Sequence, residues 1–312
     1  MGLFARAKKR AGLLATAITA DGVCAALVVP RTGDKPQVKA ALWQAGAKPA
    51  AGLEKLNKDL QAGSCRCTTL LGAADYQLLS LEAPNVPPEE LKTAVGWRLK
   101  DMLDFPLADA TIDVFDIPPD QNAPVRGQSV FAVAARNSAV SQRQQLYASA
   151  RIGLSVIDIP EMAQRNIAAL LETPGRGLAM LSFDADGGLL TVNFNAELYL
   201  SRRIDVKLAQ LVDGSDDQKS QYYDKITLEL QRSFDHFDRQ FHFINVIKLV
   251  LAPTGADGLH GYLADNLYMP VEVLDLAALF DFADVPQLQE QGSQARFFLP
   301  LGAALRQETV AP

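Results

Sequence analysis

Residues 89–113, EELKTAVGWRLKDMLDFPLADATID, decide how the chain divides. Pro87-Pro88-Glu89-Glu90 just ahead is a helix start, because the first turn leaves unpaired the N–H that proline lacks. The pattern predicts a charged amphipathic helix over 90–103, a break at Phe105-Pro106-Leu107 and an alternating strand over 111–117. A loop over 118–128, a strand over 129–135 and a helix over 139–152 follow, the last stopped by Gly153. This run lies between two stretches of chain that resemble each other.

The first stretch has strands over 13–20 and 23–30, joined at Asp21-Gly22, then a third strand carrying Leu42 and Trp43. A helix over 53–62 ends at Gly63, and strands over 67–71 and 77–81 follow. A strand over 154–159 and a helix from Pro160 to residue 171 come after the insert. The second stretch begins beyond Thr173-Pro174-Gly175-Arg176-Gly177, with strands over 178–183 and 189–194 around Asp184-Ala185-Asp186-Gly187-Gly188 and a third over 197–204. In both, the order is strand, acidic turn with glycine, strand, strand. A long helix over 216–240 carries Ile226, Leu230 and Phe237 near helical spacing. The aromatic cluster Phe234, Phe237, Phe241 and Phe243 reads as core packing rather than a partner face. A strand over 246–252, a helix over 259–267, a strand over 271–274 and a short terminal helix over 303–306 complete the chain.

The 312 residues suit two or three lobes, and 48% hydrophobic with 21% charged residues describes a globular protein. A net charge of −6 argues against a nucleic-acid partner, which calls for a basic face. No apolar run reaches the ~18 residues needed to span a bilayer. Cys24, Cys65 and Cys67 are an odd, sparse set that fits a reducing cytoplasm. Cys65 and Cys67 share one strand face and read as core thiols, and neither they nor His236, His242 and His260 have metal-ligand spacing. The start, MGLFARAKKR, lacks an uninterrupted apolar leader. Its Arg6, Lys8, Lys9 and Arg10 suit either a solvated terminus or contact with anionic lipid at about 1 kcal/mol per charge.

Helix, FPL, then an acidic-aromatic strand resembles the PilM family of actin-like type IV pilus assembly proteins. Within that family the likeness is greatest to the MshI proteins of the mannose-sensitive haemagglutinin (MSHA) pilus. Further pieces, in order, are the opening MGLF, ASARIGLSVIDIP at 148–160, LVLAPTGADGLHGYLADNL at 249–267, PVEVLD at 270–275 and LPLGAAL at 299–305. The resemblance implies an α/β, actin-like (ribonuclease H-like) two-lobed fold with an inserted subdomain in the first lobe. Residues 1–86 plus 153–176 would form the first lobe, 87–152 the insert, 177–300 the second lobe and 301–312 a terminal helix and tail.

Nucleotide-binding members of this superfamily grip phosphate with two hairpin turns of Asp, an apolar residue and Gly. Glycine lets backbone N–H groups approach the phosphates, and the acid organises Mg²⁺. Here Ala17-Ile18-Thr19 stands in the first turn, without acid or glycine. The second keeps Asp184 but places Asp186 where glycine is expected, ahead of Gly187 and Gly188. The adenosine-side turn, Ala252-Pro253-Thr254-Gly255-Ala256, keeps Gly255, and the Gly-Gly expected near Asp205-Val206-Lys207 is missing. The expectation is no catalytic residue, no ATP turnover and no required cofactor, with residual ATP or ADP binding left open at these degenerate turns.

The resemblance further implies a cytoplasmic scaffold, peripheral to the inner membrane through its partners in the pilus inner-membrane assembly complex. It would bind the N-terminal tail of a PilN-like bitopic protein. The residues it points to are Trp97, Arg98, Met102, Leu103 and Phe105, although a helix must bury some of its apolar residues in any fold. The alternatives are a weak nucleotide-binding actin-like ATPase and a type II secretion cytoplasmic assembly component.

Overall fold

The computed structural model describes residues 11–46, 48–120 and 128–307. The basic cluster at Arg6, Lys8, Lys9 and Arg10 lies outside them. The chain opens with β1 (Leu13–Thr19) and β2 (Gly22–Val29), paired from Leu13↔Val28 to Thr19↔Gly22. A side chain at Gly22 would place its Cβ 2.2 Å from the Gln44 carbonyl of β3 (Gln37–Ala45), so only glycine lets the hairpin lie against that strand. Helix α1 (Pro49–Leu60) then leads to β4 (Arg66–Leu70), which runs parallel to β1. The helix ends at Gln61, φ 53°, rather than at Gly63. Asn57 explains the shift: its Oδ1 accepts from Gly63 N at 2.8 Å, fixing the chain beyond the helix.

Next come β5 (Tyr76–Glu82), α2 (Leu91–Leu99), β6 (Ala110–Ile117) and β7 (Ser129–Arg136), then α3 (Asn137–Ser149), β8 (Leu154–Asp158) and α4 (Pro160–Ala168). The second half holds β9 (Gly177–Phe183), β10 (Gly188–Phe194), β11 (Glu197–Ile204), α5 (Leu208–Val212), α6 (Asp216–Gln240), β12 (Val246–Leu251), α7 (Leu259–Asn266) and β13 (Val271–Val273). It closes with α8 (Gln291–Gln294) and α9 (Phe298–Ala304). The terminal helix therefore starts before residue 303, and Pro300 lies in its first turn, where proline is tolerated.

Two five-stranded sheets share one topology, β3-β2-β1-β4-β8 and β11-β10-β9-β12-β13. In each, an antiparallel hairpin and its third strand adjoin parallel strands reached by crossovers. A third sheet, β5-β7-β6, is antiparallel throughout. Its first strand comes from Tyr76–Glu82, ahead of the expected insert boundary at 87, because all of β5 pairs with β7. Conversely α3 lies within 87–152 yet gives Tyr147 to the core of the first sheet, beside Leu14, Leu53 and Leu56.

Between the two large sheets lie α4 and α9, in one apolar core with residues of β1, β2, β9 and β12. They cross so closely that a Cβ at Gly302 would fall 2.2 Å from the Ala163 carbonyl. Asn166 Nδ2 donates to the Gly302 carbonyl at 2.9 Å across this crossing. Gln164 is fully buried and ties α4 to the second sheet: its Nε2 donates to the Met180 carbonyl (2.9 Å) and Thr191 Oγ1 (3.0 Å), and its Oε1 accepts from Ser182 (2.6 Å). Helix α6 starts at the Ser215 cap and buries Ile226, Leu230, Phe234 and Phe237, so the aromatic cluster is core.

The third sheet is covered on both faces. Val95, Leu99 and Phe105 pack on Val130, Ala132 and Ala134. On the other face Phe131 and Ile117 join the core of the second sheet, with Phe183, Ile204 and Val206, and the rings of Phe115 and Phe131 lie 5.3 Å apart. The insert thus reaches across to the second lobe. Among the described residues no helix is long and apolar enough to cross a membrane.

Candidate functional site

The residues named for partner binding separate into two groups. Helix α2 ends at Leu99, short of the expected residue 103, and Lys100–Met102 form a turn in which Met102 N donates to the Leu99 carbonyl at 2.9 Å. Pro106 disfavours helical backbone at Phe105, which instead turns inward. Phe105 is buried, with the Arg136 guanidinium 4.2 Å from its ring centre. Leu103 packs half-buried beside it. These two belong to the core of the small sheet. Trp97 and Met102 do not: they are 67% and 47% exposed. Arg98 is also exposed, its Nη1 donating to the Glu82 carbonyl at the end of β5 at 2.7 Å. The outer end of α2 therefore shows water an indole, a thioether and a guanidinium.

The second candidate region is the β9–β10 turn. Asp184 Oδ1 accepts from the backbone N–H of Asp186 (2.8 Å) and Gly187 (3.1 Å), an arrangement that closes the turn by itself. Burial pushes the Asp184 carboxyl above the usual aspartate range, against those hydrogen bonds. A Cβ at Gly187 would meet the Ile204 carbonyl at 2.8 Å, and one at Gly188 would meet the Phe183 ring at 2.7 Å, so both glycines are required by packing on β11 and β9. Asp186 reaches the other lobe: its Oδ2 accepts from Ala73 N, in the turn after β4, at 3.2 Å. The carboxylate thus holds a backbone donor of the opposite lobe. Asp75 of that turn accepts from Gly72 N at 3.1 Å and pairs with Arg143 at 3.2 Å.

Gly255 stands apart, at φ 67°, where an added Cβ would meet none of the described residues within 4 Å. It lines a cavity of about 280 Å3 at the end of β12, with Thr254, His260 and Gln291. In the first turn Ala17 packs half-buried against the inter-sheet core, and Thr19 Oγ1 donates to Asp21 Oδ1 at 2.6 Å, closing its own turn.

One cluster was not foreseen. Glu161, at the start of α4, is 1% exposed; it accepts from the Tyr76 hydroxyl (2.5 Å) and from Arg203 of β11 (2.9 Å), which also donates to the Tyr76 oxygen (2.7 Å). Burial, aided by Glu161, drives the Tyr76 phenol well above its ordinary pKa, keeping it a neutral donor. Glu161 alone reads as an acid complementing a helix N-terminus, and Arg203 as one polar residue of a strand. Only the fold joins them, at the junction of β5, α4 and the second sheet. The region between the lobes is therefore bridged by protein groups, through Asp186–Ala73 on one side and Tyr76–Glu161–Arg203 on the other.

No protein-family model matches this sequence, and no curated protein matches it. Solved structures do. A chain of a "PilM-PilN type IV pilus biogenesis complex" aligns over 95% of this chain and 98% of its own, with a TM-score of 0.73 and 23% identity. A Bacteroides thetaiotaomicron protein with "actin-like ATPase fold and unknown function" aligns over 93% and 99%, with a TM-score of 0.52 and 12% identity. The cytoplasmic domain of EpsL, an inner-membrane component of the type II secretion system of Vibrio cholerae, aligns over 66% and 76% at 14% identity, but its TM-score of 0.44 is too low to bear on this chain. With two sheets of one topology, helices crossing between them and near-complete coverage of both proteins, the chain has the actin-like fold.

Proposed function

We propose that this protein is a scaffold of type IV pilus assembly, of the MSHA type, that captures the N-terminal cytoplasmic tail of a PilN-like inner-membrane protein. It would sit on the cytoplasmic face of the inner membrane through that partner and turn over no ATP. The observation that carries the reading is the exposed apolar end of α2, where Trp97 is 67% and Met102 47% exposed beside the packed core of Val95, Leu99 and Phe105. Support comes from the likeness, over nearly both whole lengths, to a chain of a complex named for PilM and PilN. A preformed apolar surface with a polar handle, Arg98, suits an extended peptide that is disordered alone, and a few anchors then set the affinity.

Replacing Trp97 or Met102 with Glu adds charge where water already reaches, so the melting temperature should stay nearly constant. Capture of the N-terminal peptide of a bitopic pilus protein should fall at least tenfold, read by pull-down and anisotropy. If both folded variants bind as the parent does, the peptide surface lies elsewhere. Calorimetry with Mg-ATP tests the absence of turnover separately: micromolar affinity together with phosphate release would sink that half of the proposal. The contacts of Asp186 and Arg203 favour the non-catalytic reading, since they put a carboxylate and a closed salt bridge between the two lobes.

A further inference from the structure

A cavity of about 850 Å3 opens where β1 begins, at Gly12 and Leu13. The β1–β2 turn is at the other end of that strand, about 20 Å away. The cavity lies at the C-terminal ends of α4 and α9 and is lined from four separate parts of the chain by Arg31, Arg66, Arg165 and Arg306, against Asp34 and Glu197. Such a concentration of guanidiniums contrasts with a chain whose net charge is −6.

Arginine near a helix C-terminus is expected, because it complements the exposed carbonyls there. That role does not account for how these two are paired. Arg165 sends Nη2 to Asn166 at 2.9 Å and holds Glu197 only at 3.5 Å; Arg306 sends Nη1 to Asp158 at 2.7 Å. In both, the buried Nε–H has no acceptor among the described residues. Buried donors without partners are rare enough to call for a cause.

At the same rim Asn195 and Ala196, both left-handed, make the two-residue turn between β10 and β11, and Ala196 N donates to Glu172 Oε2 at 2.7 Å. The other Glu172 oxygen is buried with no partner among the described residues. Leu170, in the lining, is 43% exposed beside half-buried Leu305. Unpaired buried donors and exposed apolar surface recur at binding sites, and the volume falls in the range of small-molecule pockets.

We propose that this basin binds a small organic anion, its phosphate or carboxylate held by Arg165 and Arg306 and its apolar part resting on Leu170 and Leu305. Guanidinium forks suit both anions, so the chemistry is shared and the probe must separate them. The full chain is titrated by calorimetry, at constant ionic strength, with inorganic pyrophosphate and with hexanoate. Saturable binding below 1 mM is expected for at least one; pyrophosphate alone identifies a phosphate ligand, hexanoate alone a carboxylate with an acyl tail. Leu170→Trp fills the basin from a solvent-facing position, and Arg165→Gln removes a guanidinium. At least one folded variant should bind tenfold or more weakly than the parent. Absence of saturable binding to either probe, or affinity unchanged in both variants, overturns the proposal.

Discussion

Ala196 occupies a backbone conformation that costs an L-residue with a Cβ, and nothing requires its methyl group. Ala196→Gly should therefore stabilise the chain by about 1 kcal/mol, the strain removed exceeding the flexibility gained by the unfolded chain. Urea titration of parent and variant reads this as a higher midpoint at constant slope. Asp184 gives a pH signature. Its folded pKa lies above the ordinary value, so its contribution to stability is fully present below the usual aspartate range and is lost as pH rises through the raised value. Asp184→Asn keeps an oxygen to accept the two turn N–H groups but cannot ionise. Melting temperatures measured from pH 3.5 to 7 should decline less with rising pH in the variant than in the parent; equal slopes would mean that Asp184 is not raised. The role of Asp184 in a turn was legible from its type and spacing. The reach of Asp186 to Ala73 was not, because the two are 113 positions apart and only the docking of the lobes brings them together.

The crossing of α4 and α9 brings helix backbone into direct contact. A methyl at residue 302 has no room, since its neighbour is backbone that cannot rotate away. Gly302→Ala should cost about 3 kcal/mol, the upper part of the overpacking range, by forcing the helices apart. Circular dichroism melts would show it, and a loss below 1 kcal/mol would mean that the helices slide freely. The strands were mostly readable at this scale, because Asp21-Gly22 and Asp184–Gly188 punctuate alternating or apolar runs. Helix ends were less so. The end of α2 at Leu99 depends on Phe105 being drawn into the small core, a tertiary demand that overrides a helical pattern running on to 103. Likewise β5 reads as a strand from its alternation, but alternation does not name a partner, and its pairing with β7 moves it out of the first sheet.

Across the whole molecule, Arg203, Glu161 and Tyr76 join three parts of the chain in one hydrogen-bonded group. Arg203→Gln leaves Glu161 buried beside a phenol alone and should cost about 2–3 kcal/mol, less than a fully buried pair because the Arg203 side chain is about a third exposed. In a double-mutant cycle with Glu161→Gln, the joint loss should be smaller than the sum of the single losses, since each removal spares the other its unpaired partner. Strict additivity would show that the two do not act together. The duplicated sheets were visible in sequence as two similar hairpins. The ion pair that bridges them was not, because Glu161 and Arg203 each have an ordinary local role.

The small sheet has one face under α2 and the other against the second lobe, through Phe131 and Ile117. Trp97 therefore stands on a beam supported at both ends: by chain continuity to the first lobe, and by apolar contact to the second. Tension applied at the tip of α2 would be shared between these supports and not concentrated on the α4–α9 crossing at Gly302. Such an arrangement resists hinging under a pull, and it makes the face of Phe131 a place where slackening would reach Trp97 without touching the surface around it.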